Sequence, residues 1–309
     1  MTWRSPLLDI AGAVEAEGVD AGVAAHYGDP LREQRSLLSG AGFVDLSHRG
    51  VVQVSGPDRL SWLHSLTTQS FEGLAPHMSV KALVLSPQGH VEHELTGHDD
   101  GESFWAHLEP GFVAPLVAWL DSMRFMLRVE VHDVSNEWAA MASAPDVVQL
   151  LPRADLAAAS AAAPCGIWAF EALRIERAEP RLGLDTDHRT IPNEVGWIGS
   201  AVHLDKGCYR GQETVARVHT LGRPPRRLVL LHLDGSVDRL PQAGSELTSD
   251  GRAVGRVGSS ARHFELGPIA LGLVKRNVGS DVVLLADGVP ATQQLVVDPE
   301  VGLHVRPRL

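Results

Sequence analysis

The chain is poor in cysteine and in long apolar runs, and each shortage excludes a class of protein. Its 309 residues include two cysteines, Cys165 and Cys208. Two thiols are too few for a disulfide scaffold or for a four-thiolate iron–sulfur site within one chain. No stretch reaches the ~18 uncharged apolar residues of a transmembrane helix, and residues 1–6 lack the pattern of a signal peptide. We therefore expect a cytoplasmic protein without a membrane partner.

Basic residues are also scarce relative to acidic ones. Lys and Arg number 27 against 38 Asp and Glu, which gives a formal net charge of −11. Because phosphate neutralisation by Lys and Arg supplies most nucleic-acid affinity, this balance argues against direct binding to nucleic acid. A Walker loop, a Gly-x-Gly-x-x-Gly loop and a complete zinc ligand set are all absent from the sequence, so we expect no metal site.

The hydrophobic pattern predicts alternating strands and helices in the first part of the chain. We predict strands over 51–54, 80–86, 90–95, 104–109 and 125–131, and helices over 60–66, 112–120 and 168–177. An alanine-rich run, 155–163, is expected to form either a helix or a tether into the helix that follows. Strands interleaved with helices and hairpins indicate mixed α and β layers.

The last 80 or so residues show a different pattern. The basic, Pro-containing segment 222–227 separates them from the rest, and short strands follow over 228–233, 246–248, 253–257, 269–274 and 294–297. The dipeptide Asp250-Gly251 is a strong hairpin signal. Regularly spaced short strands predict a small β-barrel or sandwich. We therefore divide the chain into a body, 1–222, and a C-terminal β domain, 223–309.

The segment around Cys208 is chemically unusual. Lys206 and Arg210 lie two residues to either side of the thiol, and a helix is expected to start near Gly211. Neighbouring cations and the positive end of a helix both stabilise a thiolate. The alternative is that Cys208 is a small buried apolar residue.

A second unusual segment, 190–197, places Glu194 among Ile, Pro, Val, Gly and Trp. A carboxylate in a mostly apolar pocket can accept paired N–H donors from a flat heterocycle such as a pterin. The alternative is a loop Glu that caps local backbone. Arg226 and Arg227 are candidates for bidentate pairing with a ligand carboxylate, or else belong to a solvated linker.

Segment 206–213, Lys-Gly-Cys-Tyr-Arg-Gly-Gln-Glu, resembles the signature of the YgfZ folate-binding proteins. These are relatives of the glycine-cleavage T-protein, an aminomethyltransferase. Further similarity lies in segments 45–50, 54–58, 63–69, 191–196 and 271–274. The resemblance covers about residues 40–280, with the segments in the same order.

The resemblance implies an α+β, T-protein-like fold: two interlocked α/β parts around a central folate channel, plus a small C-terminal β-barrel. It implies binding of tetrahydrofolate or a one-carbon-substituted folate. It also implies a role in assembling or repairing iron–sulfur enzymes, including those that modify tRNA, as client partners. The implied site residues are the thiol of Cys208, the pterin-recognising Glu194, and Lys206, Tyr209, Arg226 and Arg227 in the folate site.

One departure separates this chain from the T-proteins, which carry a catalytic Asp after a Gly-Gly turn. Here the comparable stretch is 88–95, and Glu92 is the nearest acid. One extra methylene moves the carboxylate oxygens by about 1 Å, and misplacement on that scale can cost roughly 100-fold in rate. Two alternatives stay open: a tetrahydrofolate-dependent one-carbon transferase or demethylase using Glu92, and a non-catalytic interaction scaffold.

Overall fold

A computed structural model describes residues 3–158 and 163–303. The α-helices are α1 Pro30–Leu38, α2 Arg59–Leu66, α3 Val113–Met123, α4 Ile167–Glu176 and α5 Gln212–Leu221. The strands are β1 Val14–Glu15, β2 Ala24–His26, β3 Gly42–Asp45, β4 Gly50–Ser55, β5 Val80–Leu85, β6 Val91–Asp99, β7 Ser103–Leu108, β8 Glu130–Asp133, β9 Trp138–Ala144, β10 Val147–Pro152, β11 Ala163–Cys165, β12 Arg226–Leu233, β13 Glu246–Ser249, β14 Arg252–His263, β15 Gly267–Lys275, β16 Leu284–Ala286 and β17 Val289–Leu295. Short 3₁₀ turns lie at Pro6–Asp9, Gly18–Asp20, Arg153–Asp155 and Pro192–Glu194.

The chain forms two compact units from interleaved segments. The first unit comprises Met1–Trp62, Glu72–Val80 and Leu95–Arg174, and the second comprises Leu63–Phe71, Lys81–Glu94 and Ile175–Leu309. No helix among the described residues is long and apolar enough to cross a membrane. Residues 159–162 of the alanine-rich run lie outside the described residues. The run begins at Asp155, which is the last residue of a 3₁₀ turn, and the residues that follow up to 158 are not helical.

Sheets form most of the first unit. One sheet has the strand order β10-β9-β3-β11, and β11 runs parallel to β3. Elsewhere β4 pairs antiparallel with both β7 and β8. Helix α3 has the predicted apolar spacing, and its Leu116 and Leu120 are fully buried. The predicted strands over 51–54 and 104–109 and the predicted helix over 112–120 correspond to β4, β7 and α3, whereas β3, β9, β10 and β11 were not predicted.

The predicted strand over 125–131 is wrong. Residues 125–128 form a turn, and β8 begins at Glu130. Phe125 has a left-handed backbone, with φ of 48°, and 91 % of its surface is exposed. The alternating apolar pattern suggests a strand, yet only Val129 and Val131 bury their side chains.

The second unit contains a closed barrel in the order β12-β15-β14-β13-β16-β17. Strand β12 closes it by pairing with both β15 and β17. Inward residues such as Val229, Leu231 and Leu233 alternate along β12 and fill the interior. The predicted last strand, 294–297, lies several residues too late, because β17 ends at Leu295.

Asp250-Gly251 forms the predicted hairpin turn between β13 and β14. Both residues have positive φ, 48° and 73°. This is the combination that a two-residue type I′ turn requires, and it matches the twist of the flanking strands. The barrel's register is therefore fixed at this turn by local sequence.

Candidate functional site

Glu194 is buried, with 1 % of its surface exposed, and its carboxylate is held by Arg226. Arg226 Nε donates to Oε1 and Nη2 donates to Oε2, both at 2.8 Å. The N–H of Ile191 also donates to Oε2, at 3.2 Å, from the start of the 3₁₀ turn that carries Glu194. Two parallel N–H···O bonds make this a bidentate ion pair, the strong form of Arg–carboxylate contact.

Asp187 shares the same guanidinium. Arg226 Nη1 lies 2.6 Å from Asp187 Oδ2, and Nη2 lies 3.1 Å from Oδ1. Burial alone raises the pKa of Asp187, but the hydrogen bonds and charge of Arg226 outweigh it and hold the pKa below its usual value. Burial likewise favours a lower pKa for Arg226, and its two carboxylate partners raise that pKa above the ordinary value. Asp187 and Arg226 are therefore both ionised at neutral pH.

We expect Asp187→Asn to reduce stability by about 2 kcal/mol at pH 7, the scale of a hydrogen bond to a charged group. A carboxyl with a depressed folded pKa stabilises the fold above its unfolded pKa, near 3.8. That stabilisation is lost as the pH falls through the folded value. The difference between wild type and variant in urea unfolding should therefore shrink below pH 4; a constant difference from pH 7 to pH 2 would contradict this assignment.

The Glu194 carboxylate is close to saturated with donors. A carboxylate offers about two acceptor positions on each oxygen. Oε2 uses both positions, for Arg226 and Ile191, whereas Oε1 accepts from Arg226 alone. A ligand that donates to both oxygens must therefore displace the longer bond from Ile191 or one bond from Arg226.

Two buried polar atoms next to Glu194 in the chain lack partners within the described structure. They are Asn193 Oδ1 and Trp197 Nε1. Both side chains are at least nine-tenths buried. Buried polar atoms are normally hydrogen-bonded, so orphaned ones need an unplaced water or ligand as explanation. An unpaired acceptor and an unpaired donor, both within three residues of Glu194 in sequence, are the kinds of atom that a polar heterocycle such as a pterin pairs with.

Arg227 has a different environment from Arg226. It is almost fully buried, and its guanidinium donates to the backbone carbonyls of Lys275, Arg276 and Val278. These bonds tie β12 to the end of β15 and the loop after it. Neither arginine is therefore a solvated linker residue. Arg226 belongs to the Glu194 cluster, whereas Arg227 stabilises the barrel. We therefore do not include Arg227 in the candidate ligand site.

Lys206 is buried and satisfies backbone groups. Its ammonium donates to the carbonyl of Thr67, at 2.6 Å, and to that of His64, both at the C-terminal end of α2. The ammonium also lies 5.1 Å from the centre of the Tyr209 ring. Burial raises the pKa of the Tyr209 phenol to about 12, so the ring stays neutral. The contacts shown assign Lys206 and Tyr209 to holding the motif in place.

Glycines bring the start of α5 against the turn between β5 and β6. Gly211 precedes the helix with φ of 81°, and a Cβ there would lie 2.5 Å from the Ser86 carbonyl oxygen. At Gly89 a Cβ would meet Thr214 at 2.8 Å. Only glycine tolerates both the left-handed backbone and this approach. Within segment 206–213, Gly211 therefore has a packing reason, and α5 begins where the sequence predicts.

Cys208 is exposed, whereas Cys165 is buried, so the apolar-core alternative for Cys208 is wrong. Burial raises the pKa of Cys165 to about 12, which suppresses its thiolate. No hydrogen bond or ion pair among the described residues joins Cys208 to Glu194. Likewise, no described group of three His, Cys, Asp or Glu residues could hold a metal ion.

Iodoacetamide at pH 8 should alkylate Cys208 and leave Cys165 unmodified in the folded protein, because Cys208 is exposed to the reagent whereas Cys165 is buried and its pKa is raised. Intact-mass spectrometry should show one adduct. Cys208→Ser should show none, and urea should restore reaction at Cys165. Two adducts on the native wild type would contradict the assignment.

Glu92 lies near the start of β6, half-exposed, and pairs with Arg210 at 3.0 Å. The ion pair therefore links Glu92, the nearest acid after the β5–β6 turn, with Arg210, the residue that follows Tyr209. The neighbouring His93 is buried, its Nδ1 has no hydrogen-bond partner within residues 3–158 and 163–303, and burial lowers its pKa to about 4. Glu94 instead contacts Lys81, at 3.6 Å.

Comparison with known proteins gives a consistent picture. The model of the GCVT N-terminal domain family matches residues 12–162. The crystal structure of glycine cleavage system aminomethyltransferase T from Bartonella henselae superposes with a TM-score of 0.78, covering 96 % of this chain and 97 % of that one, at 18 % identity. Residues 12–162 are therefore similar to the GCVT N-terminal domain family, and the chain has an aminomethyltransferase-like fold.

Curated relatives agree with this fold. An aminomethyltransferase of Geobacillus kaustophilus is 27 % identical over 91 % of this chain and 92 % of its own length. A putative chloroplastic transferase of Arabidopsis thaliana is 25 % identical over 75 % of this chain and 66 % of its own. The predicted α+β, T-protein-like fold with a C-terminal barrel is confirmed. The narrower YgfZ family remains a prediction.

The sequence pattern did not predict that Asp187 shares the guanidinium of Arg226 with Glu194. The signal was present in the spacing, since Asp187, Thr190 and Glu194 recur every three or four residues before Trp197. The chain folds them around one guanidinium from β12, 32 positions beyond Glu194, and no local pattern reveals that contact.

Proposed function

We propose that this protein binds tetrahydrofolate or a one-carbon-substituted folate at Glu194. The buried carboxylate of Glu194 and its bidentate pair with Arg226 carry the proposal, because they stand in a chain with an aminomethyltransferase-like fold. Folate supplies a polar heterocycle with paired N–H donors and, when substituted, a one-carbon unit. Glu194 would receive the donors, and Arg226 would keep Glu194 ionised and oriented.

Calorimetric titration under anaerobic, reducing conditions tests this part. We expect one folate per chain for tetrahydrofolate or its formyl derivative. Absence of binding at millimolar folate, in protein shown to be folded by circular dichroism, would contradict the proposal.

We further propose that the protein serves iron–sulfur enzymes of the cytoplasm, including tRNA-modifying ones, as a YgfZ-type accessory protein acting through Cys208. Support comes from the signature 206–213 and from the exposure of its thiol. With two cysteines the chain cannot supply a four-thiolate cluster site, so Cys208 would act with a partner or a small thiol. The acidic charge implies that any effect on tRNA runs through a client enzyme.

Complementation tests the second part. Cells lacking the gene should lose activity of iron–sulfur enzymes and regain it with wild type. Cys165→Ala should rescue as wild type does, because its thiol is buried and unreactive, whereas Cys208→Ala should not. Equal rescue by both variants would contradict a role for the Cys208 thiol.

A second candidate function is that of a folate-dependent one-carbon transferase. It is favoured by the similarity to an aminomethyltransferase and by the Glu92–Arg210 ion pair. In this case Glu92 would be the carboxylate that acts on an amine substrate. Turnover of N-methyl or aminomethyl amines with tetrahydrofolate, lost in Glu92→Gln, would establish it. Complementation by Glu92→Gln at the wild-type level would instead favour the accessory role.

A further inference from the structure

A cavity of about 310 Å³ lies within the first unit, independent of the Glu194 cluster. Three consecutive residues after β3, His48, Arg49 and Gly50, line it, together with Arg153 and the first turn of α3. Both arginines and the histidine have buried nitrogens without a hydrogen-bond partner within the described residues: Arg153 Nε and Nη1, Arg49 Nε and His48 Nδ1. The three arginine nitrogens are donors, and buried donors without an acceptor mark a place where a bound acceptor is missing.

Arg153 is the most under-satisfied member. Its Nη2 donates to the carbonyl of Ser47 at 2.9 Å, and its Cζ lies 3.8 Å from the centre of the Trp3 ring. Burial lowers the pKa of Arg153, because a guanidinium away from water is less well solvated. The indole N–H of Trp3 donates to Ser47 Oγ at 2.8 Å. This bond holds the Trp3 ring over the Arg153 guanidinium, at the wall of the cavity.

The first turn of α3 adds a second, independent feature. Its N-cap, Phe112, supplies no side-chain acceptor, and Val113 and Ala114, whose amides open the helix, line the cavity. The first amides of a helix have no intrahelical acceptor, and the helix dipole favours an anion there. The helix has 11 residues, long enough for that effect.

Carboxylates near the cavity are already engaged. Glu109 accepts from Arg49 Nη2 at 3.0 Å, and Asp20 lies 3.0 Å from His48 Nε2. Asp133, on the exposed rim, accepts from the N–H and hydroxyl of Ser135. The interior thus offers donors, and the rim offers acceptors for hydroxyl groups.

We propose that this cavity binds the phosphate group of a small hydroxylated phosphate monoester. Donors arriving from two arginines and a helix terminus suit a tetrahedral group with three oxygens better than a planar carboxylate. The volume exceeds what phosphate alone fills, since one water occupies about 30 Å³ in the liquid, and leaves room for an organic remainder. The anion would replace the Trp3 ring over Arg153.

Calorimetric titration with glycerol 3-phosphate, inorganic phosphate and glycerol tests the site. We expect 1:1 binding of glycerol 3-phosphate, weaker binding of phosphate, and no heat from glycerol. Arg153→Met should weaken binding at least 10-fold. Arg128→Met, at an exposed arginine of the same unit, should leave it unchanged.

A second variant keeps the test decisive where Arg153→Met fails to fold. Ala114→Glu places a carboxylate at the exposed N-terminus of α3, where the helix dipole stabilises it. This variant should fold and lose binding through repulsion. Absence of heat with either anion at 20 mM in the wild type, or wild-type affinity in Ala114→Glu, would overturn the proposal.

Discussion

Glu194→Gln is expected to weaken tetrahydrofolate binding by about 100-fold, because hydrogen bonds to a charged group contribute roughly 1.5–3 kcal/mol and each 1.4 kcal/mol is tenfold. The substitution keeps the shape of the side chain and removes one acceptor oxygen together with the charge. Arg226 retains its bonds to Asp187, so the cluster keeps a counter-ion. Calorimetry on both proteins measures the ratio of dissociation constants.

The matched control is Glu130→Gln, which makes the same change at an exposed carboxylate of the first unit. It should bind folate as wild type does. A Glu194→Gln dissociation constant within threefold of the wild-type value would contradict the assignment of Glu194 as the pterin-recognising group. Unfolding curves of both variants separate a loss of binding from a loss of fold.

Arg226→Met is expected to cost about 3–5 kcal/mol of unfolding free energy, the range for removing one partner of a buried ion pair. The side chain of Glu194 is 1 % exposed and would lose both bonds to the guanidinium. Asp187, about three-quarters buried, would lose its partner at the same time. A loss of this size is a large share of the roughly 5–15 kcal/mol that holds most domains folded.

Arg223→Met provides the comparison, three residues earlier in the chain. Arg223 pairs with Glu300, and both side chains are more than half exposed. Exposed pairs contribute about 0–1 kcal/mol, so this variant should unfold at nearly the wild-type urea concentration. Equal midpoints for the two variants would show that the Glu194–Arg226 pair does not stabilise the second unit.

Local sequence patterns were sufficient for features that local chemistry controls. The Asp250-Gly251 turn followed from the requirement for positive φ, and the start of α5 followed from Gly211. The hydrophobic spacing of α3 predicted its buried face. Phe125–Val131 failed because alternation alone cannot distinguish a strand from an exposed turn whose apolar residues face solvent.

The candidate site depended on contacts that distant segments make. The sequence shows that Glu194 lies in an apolar segment. It does not show whether Arg226 or Arg227 pairs with the Glu194 carboxylate. The two alternate along β12, so one points to Glu194 while the other faces backbone carbonyls. The contacts of Lys206 were equally hidden in the sequence, because its ammonium donates to carbonyls at the end of α2, far from segment 206–213 in the chain.

A crystal structure with tetrahydrofolate tests the central claim most directly. The pterin N–H groups should lie within hydrogen-bond distance of the Glu194 carboxylate, and the bond from Ile191 or one bond from Arg226 should be broken. Folate bound elsewhere, with the Glu194 carboxylate still accepting from Arg226 and Ile191 as it does now, would contradict the account.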